Sequence, residues 1–291
     1  MSEIETIYEE NKRLLTHIAY HMLGDINDAR DAVHDVFTRN LGLDTFDRVE
    51  NIQAFLCKSV TNRCLDVLKS GTRKREVCVG TWLPEPLSVN EDPLDVLIRK
   101  HTLSYSFMFL LERLSPVERV VYILRSAFEY PYEQIAEILH KSNPAVRKIF
   151  SRSRQKVQEG SMREEETEVE NELSEAFIKA LETGETSIFL KLLTEDVTYY
   201  AEGGGELPIA RKPLPYKAFV QLFTYLSQQV QHSSYKDLQM VSVRINTGYG
   251  VLLKRNEEPL AIVTFKSENG MIVDIYNQTN PMKLKMTGAA L

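Results

Sequence analysis

The residues best placed to do chemistry lie between Tyr132 and Gln158. Tyr132–Leu139 reads as a short helix, and a tight turn leads into a second helix over Pro144–Gln158. Two short helices joined in this way form a helix-turn-helix pattern. Ala136 is small where the two helices must approach. Asn143 and Pro144 can cap and start the second helix. On that helix Val146, Ile149 and Phe150 take the core side, which leaves Arg147, Lys148, Ser151, Arg152 and Arg154 toward solvent. Lys141, Ser142 and Asn143 stand at the turn before it. Arginines beside a helix N-terminus match phosphate oxygens and guanine edges in a major groove. No acid interrupts the basic residues from Ile138 to Gln158, which sets this stretch apart from an ordinary solvated helix face. The expected chemistry is recognition of duplex DNA.

Other constellations weigh less. His17 and His21 stand one helical turn apart but lack the intervening glutamate of a zincin, so they read as two helical histidines near a surface. Cys57 and Cys64 share one helix face without a CxxC and read as small buried hydrophobes. Gly203-Gly204-Gly205 lacks the following Lys-Ser/Thr of a P-loop. Asp274 is the one candidate general base. If Ile272 and Tyr276 point inward, strand alternation turns it into a pocket near Tyr199, Tyr200, Tyr225 and Tyr249. Against it stands the ordinary strand acid among core aromatics, and that reading is preferred. No catalytic residue, metal ligand or cofactor is expected.

Composition frames these residues. The chain has 291 residues, 43% hydrophobic and 26% charged, which suits two or three globular domains. No apolar run is long enough to span a membrane, and the first residues are acidic and polar, unlike a secretory signal. Three cysteines, Cys57, Cys64 and Cys78, form no disulfide framework, and a cytoplasmic location is expected. The net charge of −6 argues weakly against a free-standing nucleic-acid binder, but the charge is unevenly placed. The basic run to Gln158 gives way to Glu159, Glu164, Glu165, Glu166, Glu168, Glu170, Glu172 and Glu175. A sign change this abrupt marks a boundary between functions.

Periodicity divides the chain further. Residues 1–76 are helical. Asn27 can cap a helix from Asp28 that carries Ala29, Ala32, Val33, Val36 and Phe37 inward, and a longer helix spans about Ile52 to Ser70. Residues 77–93 form a proline-rich linker around Trp82-Leu83-Pro84-Glu85-Pro86, which reads as a segment that docks on something. Residues 94–160 are helical again, with a capping box at Ser115-Pro116-Val117-Glu118. A charged link follows over 161–171. Residues 172–291 mix two short helices (172–182 and 186–193), a strand near 197–200, a helix over Tyr216–Val230 and four further strands. Asn269-Gly270 makes a hairpin turn between the last two. Helices ahead of an antiparallel sheet suggest an α+β domain.

The first 158 residues resemble the bacterial sigma factors of the extracytoplasmic-function type. Asp25–Asn40 is similar to their region two motif, and Phe55–Lys69 to the helix that reads the −10 promoter element. Leu111–Val157, with Leu114-Ser115-Pro116-Val117-Glu118-Arg119, resembles region four, the −35 reader. The resemblance extends to a group with a SnoaL-like C-terminal extension. That group's motifs correspond to Trp82-Leu83-Pro84-Glu85-Pro86, Gly203-Gly204-Gly205 and Asn280-Pro281-Met282-Lys283-Leu284. Glu206 stands where that group usually has a basic residue, and Met282 where it has an acid.

The fold implied is two all-α sigma domains and a C-terminal α+β cone. The function implied is that of an alternative sigma factor with core RNA polymerase and promoter DNA as partners. Asp28, Asp31, Asp35, Val36 and Phe37 would bind core polymerase, acids around an apolar patch suiting a partner with arginines. Phe46, Asn51, Asn62, Arg63, Asp66 and Lys69 would face −10 DNA, with Phe46, Asn51 and Gln53 near a flipped base. Lys141, Ser142, Asn143, Arg147, Lys148, Ser151, Arg152 and Arg154 would face −35 DNA. Trp82, Leu83, Pro84, Glu85, Pro86, Gly203, Gly204, Gly205, Asn280, Pro281 and Leu284 would form an intramolecular regulatory contact, in place of an obligatory separate anti-sigma protein. The alternative is a conventional helix-turn-helix regulator with a ligand-binding C-terminal domain. It leaves Asp25–Lys69 unexplained.

Overall fold

The computed structural model describes residues 3–40, 49, 51–70, 80–87, 103–157, 167–203, 210–231 and 237–288. Phe46, Cys78, Gly204 and Gly205 lie outside the described residues, as do the basic cluster after Ser70 and Glu159, Glu164, Glu165 and Glu166 of the acidic run. The chain divides into two compact units. One holds residues 1–74, 94–103 and 107–161. The other holds 75–93, 104–106 and 162–291. The helices expected to form two separate sigma domains thus share one unit, while the proline-rich linker belongs with the C-terminal domain.

The helical unit opens with α1 (Glu3–Leu23), α2 (Ile26–Asn40) and α3 (Ile52–Ser70). Asp25, rather than Asn27, caps α2. Its carboxylate accepts the backbone N–H of Asn27 and of Asp28, each at 2.9 Å. The helix therefore starts two residues earlier than expected, because the carboxylate meets first-turn N–H groups that have no partner inside the helix. Asn51 caps α3 in the same way, through Ala54 N–H at 2.9 Å. Ala29, Ala32, Val33, Val36 and Phe37 of α2 are buried, and Phe37 meets Tyr8 edge-on at 4.9 Å.

The unit continues through α4 (Tyr105–Leu110), whose first two residues go with the other unit, and a short 3-10 turn. After these come α5 (Pro116–Ser126), α6 (Tyr132–Leu139) and α7 (Asn143–Val157). Pro116 opens α5. The Glu118 carboxylate turns back to accept the Ser115 N–H at 2.9 Å and its hydroxyl at 2.8 Å. At the end of α6, His140 takes a left-handed backbone (φ 51°), and Lys141 N–H returns to the Ala136 carbonyl at 2.9 Å. That closure makes the tight turn of the helix-turn-helix.

The C-terminal unit holds α8 (Thr167–Thr183), a single turn α9 (Ser187–Leu190), β1 (Leu193–Glu202), β2 (Leu214–Pro215) and α10 (Tyr216–Val230). It ends with β3 (Leu238–Ile245), β4 (Gly248–Arg255), β5 (Glu258–Glu268), β6 (Met271–Gln278) and α11 (Pro281–Gly288). The sheet runs β2-β1-β6-β5-β4-β3, and only the β1–β6 pair is parallel. Asn269 (φ 53°) and Gly270 (φ 75°) both take the left-handed conformation of the expected two-residue hairpin turn. The helix α11 was not expected. Asn280 starts it by accepting Met282 N–H at 3.1 Å, ahead of Pro281 at the first helical position.

The sheet curls around an apolar core of Phe177, Phe189, Phe219, Phe223, Phe265 and Tyr199, joined by Val197, Val251, Val263, Ile272 and Ile275. Aromatic side chains fill the interior expected to be a pocket. Asp274 does not face it. The register between β5 and β6 shifts between Lys266↔Asp274 and Ser267↔Ile272, which puts one extra residue on β6, so Ile272 and Ile275 both reach the core. Asp274 instead accepts the Tyr276 hydroxyl at 3.2 Å, and Tyr276 stacks on Tyr200. Tyr225 is exposed. The four tyrosines therefore do not converge on an acid.

Gly250 fixes the approach of β4 to β5. A Cβ there would stand 2.7 Å from the Val263 carbonyl oxygen and 2.8 Å from Thr264 Cγ2. Backbone cannot yield as a flexible side chain can, so Gly250→Ala should destabilise the C-terminal domain by about 1–3 kcal/mol. Chemical denaturation of the full chain checks this, and an unchanged midpoint would contradict it.

Candidate nucleic-acid interface and linker clasp

The helix-turn-helix presents its basic face on α7. Lys141, Ser142, Arg147, Lys148, Ser151, Arg152 and Arg154 are exposed, and Asn143 is half-buried. Val146 is buried, and Phe150 stacks on Tyr122 and meets Tyr132 edge-on. Asn143 does not cap the helix. Val146 N–H pairs with the Ser142 carbonyl, and the Asn143 carboxamide donates to Glu133 at 2.5 Å. Arg147 Nε donates to Asn143 Oδ1 at 2.9 Å, and its guanidinium lies 4.4 Å from the Tyr132 ring centroid. Arg125 approaches the same ring at 4.7 Å. Asn143 and Arg147 thus lock the two helices of the motif together as well as standing on its outer face. Lys156 joins the end of α7 to Glu118 at 2.7 Å. Burial pushes the Glu118 carboxyl up, but Lys156 and Ser115 outweigh it and hold it below the ordinary glutamate range. The stabilisation is present above that range and is lost as pH falls through the lowered value.

On the first three helices, the residues assigned to two different partners bind each other. Arg63 Nε donates to Asp35 Oδ2 at 2.8 Å, and a second guanidinium nitrogen reaches the same oxygen at 2.6 Å. Asp28 and Arg63 are half-buried, as is Asn62, while Asp31, Asp66 and Lys69 have the setting of exposed or rim residues on α2 and α3. Val36 and Phe37 are only 5% and 4% exposed, so they hold α2 in place and offer no surface patch. Asn51 is engaged as a helix cap. His17 and His21 are not near a surface. They are 8% and 1% exposed, with their Nε2 atoms 3.0 Å apart. Cys57 and Cys64 are buried thiols, and burial pushes both pKa values up.

The second site lies within the C-terminal unit, where the linker docks. Gly80 pairs with Glu202 at the end of β1, and Thr81 N–H donates to the Ala201 carbonyl at 2.8 Å. Leu83, Pro84, Glu85 and Pro86 are buried. A buried ion pair grips the Leu83 residue from both sides. Glu202 Oε2 accepts its N–H at 2.6 Å, and Lys283 Nζ donates to its carbonyl at 2.5 Å. Glu202 and Lys283 are 2.7 Å apart.

Supporting bonds reach the same carboxylate from Gln278 (3.2 Å) and Asn280 (3.0 Å). Lys283 also lies 4.2 Å from the Trp82 ring centroid, within cation–π range. Further along, the Tyr105 hydroxyl donates to the Pro84 carbonyl at 2.8 Å. Asn246 and Leu87 exchange two hydrogen bonds. Of the residues expected here, Gly203 is buried at the end of β1, and Leu284 is buried on α11. Pro281 is exposed and serves the helix start. Sequence reasoning passed over Glu202, Lys283, Gln278, Tyr105 and Asn246. Glu202 and Lys283 lay inside or beside the motifs already singled out, so their chemistry was the available signal.

Comparison with known proteins assigns the two helical regions to known families. Residues 7–74 match the Sigma-70 region 2 family, and residues 105–157 match the Sigma-70 region 4 family. The ECF RNA polymerase sigma factor SigJ of Mycobacterium tuberculosis is 31% identical over 208 residues, covering 70% of this chain and 66% of the relative. The probable ECF RNA polymerase sigma factor SigI of the same organism is 28% identical over 198 residues, covering 67% of this chain and 68% of the relative. The chain thus spans about two-thirds of the length of these relatives. A crystal structure of the M. tuberculosis SigJ superposes with a TM-score of 0.76 at 25% identity, covering 97% of each chain. Two helical sigma regions ahead of an α+β domain define a sigma factor with a fused extension. The chain belongs to the extracytoplasmic-function sigma factors. Among the described residues no helix is long and apolar enough to cross a membrane.

Removing one partner of a buried ion pair costs about 3–5 kcal/mol, because the other charge is left uncompensated. Lys283→Met should therefore loosen the linker. Trp82 is the only tryptophan, so its fluorescence reports the docked state. The variant is expected to show red-shifted emission and greater quenching by acrylamide, and the double variant Glu202→Leu/Lys283→Met is expected to recover part of the loss. Identical spectra for wild type and Lys283→Met would refute the clasp.

Proposed function

We propose that the chain works as an alternative sigma factor: it binds core RNA polymerase and directs promoter-specific initiation in the cytoplasm. Asp28, Asp31 and Asp35 on α2 are the acids offered to core polymerase. Asn62, Arg63, Asp66 and Lys69 on α3 face the −10 element. The exposed face of α7 meets the −35 element through Arg147, Lys148, Ser151, Arg152 and Arg154, with Lys141, Ser142 and Asn143 at its edge. The observation that carries this reading is the presence in one chain of both sigma regions, in order, with an acid-free basic recognition helix in the second.

The C-terminal domain acts as a built-in regulator through its grip on Trp82–Pro86. The linker joins the two DNA-reading regions, so whatever holds it influences how they are disposed. The supporting observation is the buried Glu202–Lys283 pair on the Leu83 backbone. The C-terminal domain is not assigned a catalytic role.

Reconstituted transcription with bacterial core polymerase and a library of promoter-like templates tests the proposal. The expected result is run-off product that requires this chain. Core polymerase that neither binds the chain nor initiates with it, while the chain alone protects one DNA site, would favour a conventional regulator instead. On the promoter so recovered, Arg152→Ala is expected to weaken holoenzyme binding and lower its log–log salt slope by about 1, as for loss of one phosphate contact. An unaltered slope and affinity would remove Arg152 from the interface. Lys283→Met should change run-off yield from the same template, and equal yields would separate the linker clasp from regulation.

A further inference from the structure

A cavity in the C-terminal unit has chemistry that the linker clasp does not use. It lies between the start of α8, the start of β4, the middle of β5 and the segment Ser104–Ser106, all within that unit. Its volume is about 10 Å³, room for one particle the size of water. Thr264 lines it from β5. Val263 and Phe265 belong to the aromatic core, so strand alternation turns Thr264 away from that core. Thr264 is 4% exposed, and its Oγ1 finds no hydrogen-bond partner among the described residues. A buried hydroxyl without a partner is costly, so one held in a polar cavity marks a place where a ligand supplies the partner.

Glu170 brings a carboxylate to the same cavity. Its Oε2 accepts the Tyr249 N–H at 3.1 Å. Gly248 makes room for it, since a Cβ there would collide with the Glu170 carboxylate. The hydroxyls of Ser104 and Ser106, 3.2 Å apart, join the polar wall. The available donors are thus one carboxylate and three aliphatic hydroxyls. Among the described residues that line the cavity, none is a lysine, arginine, histidine or cysteine. Arg244 lies 5.7 Å from the Tyr249 ring centroid and is not part of the wall.

This set selects among ligands. An anion would meet the carboxylate with no cation to receive it. Calcium takes about six to eight oxygens, and magnesium keeps waters for which there is no space. Softer metals favour nitrogen or sulfur. One negative charge among neutral oxygens suits a monovalent cation whose hydration shell the protein oxygens replace. Potassium is close to water in size.

We propose that this cavity binds a dehydrated monovalent cation through Glu170, Thr264, Ser104 and Ser106. Glu170 supplies the charge, and Thr264 supplies the oxygen that the protein leaves unbonded. The ion pins Ser104–Ser106 to the body of the C-terminal unit, at a point separate from the linker clasp. The site stands independently of the sigma-factor reading.

Hydrogen exchange at the Tyr249 amide of the full chain tests it. Potassium chloride at about 0.15 M is compared with tetramethylammonium chloride at the same ionic strength, the second cation being too large for the cavity. Exchange is expected to be about tenfold slower in potassium, as for an ion at about ten times its Kd. Thr264→Val keeps the side-chain shape and removes the hydroxyl, and the ratio between the two salts is expected to fall to about one. Gly248→Ala, which displaces the carboxylate without removing it, should do the same. Equal exchange of the wild-type chain in the two salts would overturn the proposal and leave water as the partner of Thr264. A potassium effect that persists in both variants would overturn it as well, because the ion would then sit elsewhere.

Discussion

The C-terminal unit depends on one buried ion pair. Glu202 ends β1 and Lys283 opens α11, and they meet only because β6 runs parallel to β1 and delivers the chain back to the same end of the sheet. Between them lies a segment of linker that has left water. Buried backbone must be bonded, and prolines at 84 and 86 lessen the demand because neither carries an N–H. Leu83 takes both its partners from the ion pair. The pair in turn offsets its own desolvation through Gln278, Asn280 and the Trp82 ring. Without Leu83 each charge would lose one of the bonds that offset its burial, and without the two charges Leu83 would lose both of its backbone partners.

The helical unit follows a different logic. Its helix starts are fixed by short polar side chains, Asp25, Asn51 and Ser115 with Glu118, each serving N–H groups that the helix cannot serve itself. The helix-turn-helix is then stiffened by Tyr132, which accepts guanidinium groups from both Arg125 and Arg147, and by the Asn143–Glu133 bond. The basic face of α7 is consequently presented on a pre-formed support, which reduces the ordering that any ligand must impose.

Much of this was legible in the residues. The helix α10 and the Asn269-Gly270 hairpin follow from period and turn chemistry alone, and the four further strands expected after α10 are all present. Three features were not legible. The start of α2 depends on which of two neighbouring polar residues wins the cap, and Asp25 wins by geometry that no periodicity encodes. The placement of Asp274 depends on an extra residue in β6 opposite β5, which reverses the parity on which the pocket argument stood. The helix α11 carried the same Asn-Pro signal as α7, but its apolar face is too short for period to declare it. At the clasp, the proline-rich segment stood out by composition. Glu202 and Lys283 did not, because a partner distant in sequence gives two ordinary charged residues no local signature.

The pairing of Asp35 with Arg63 has a thermodynamic consequence. Each side chain neutralises the other across α2 and α3. A ligand that takes the carboxylate leaves the guanidinium in search of an anion, and a ligand that takes the guanidinium leaves the carboxylate in search of a cation. Two ligands of opposite charge arriving on these neighbouring helices would share the expense of breaking one bond. Binding of the first would strengthen binding of the second, and linkage makes that benefit equal in both directions.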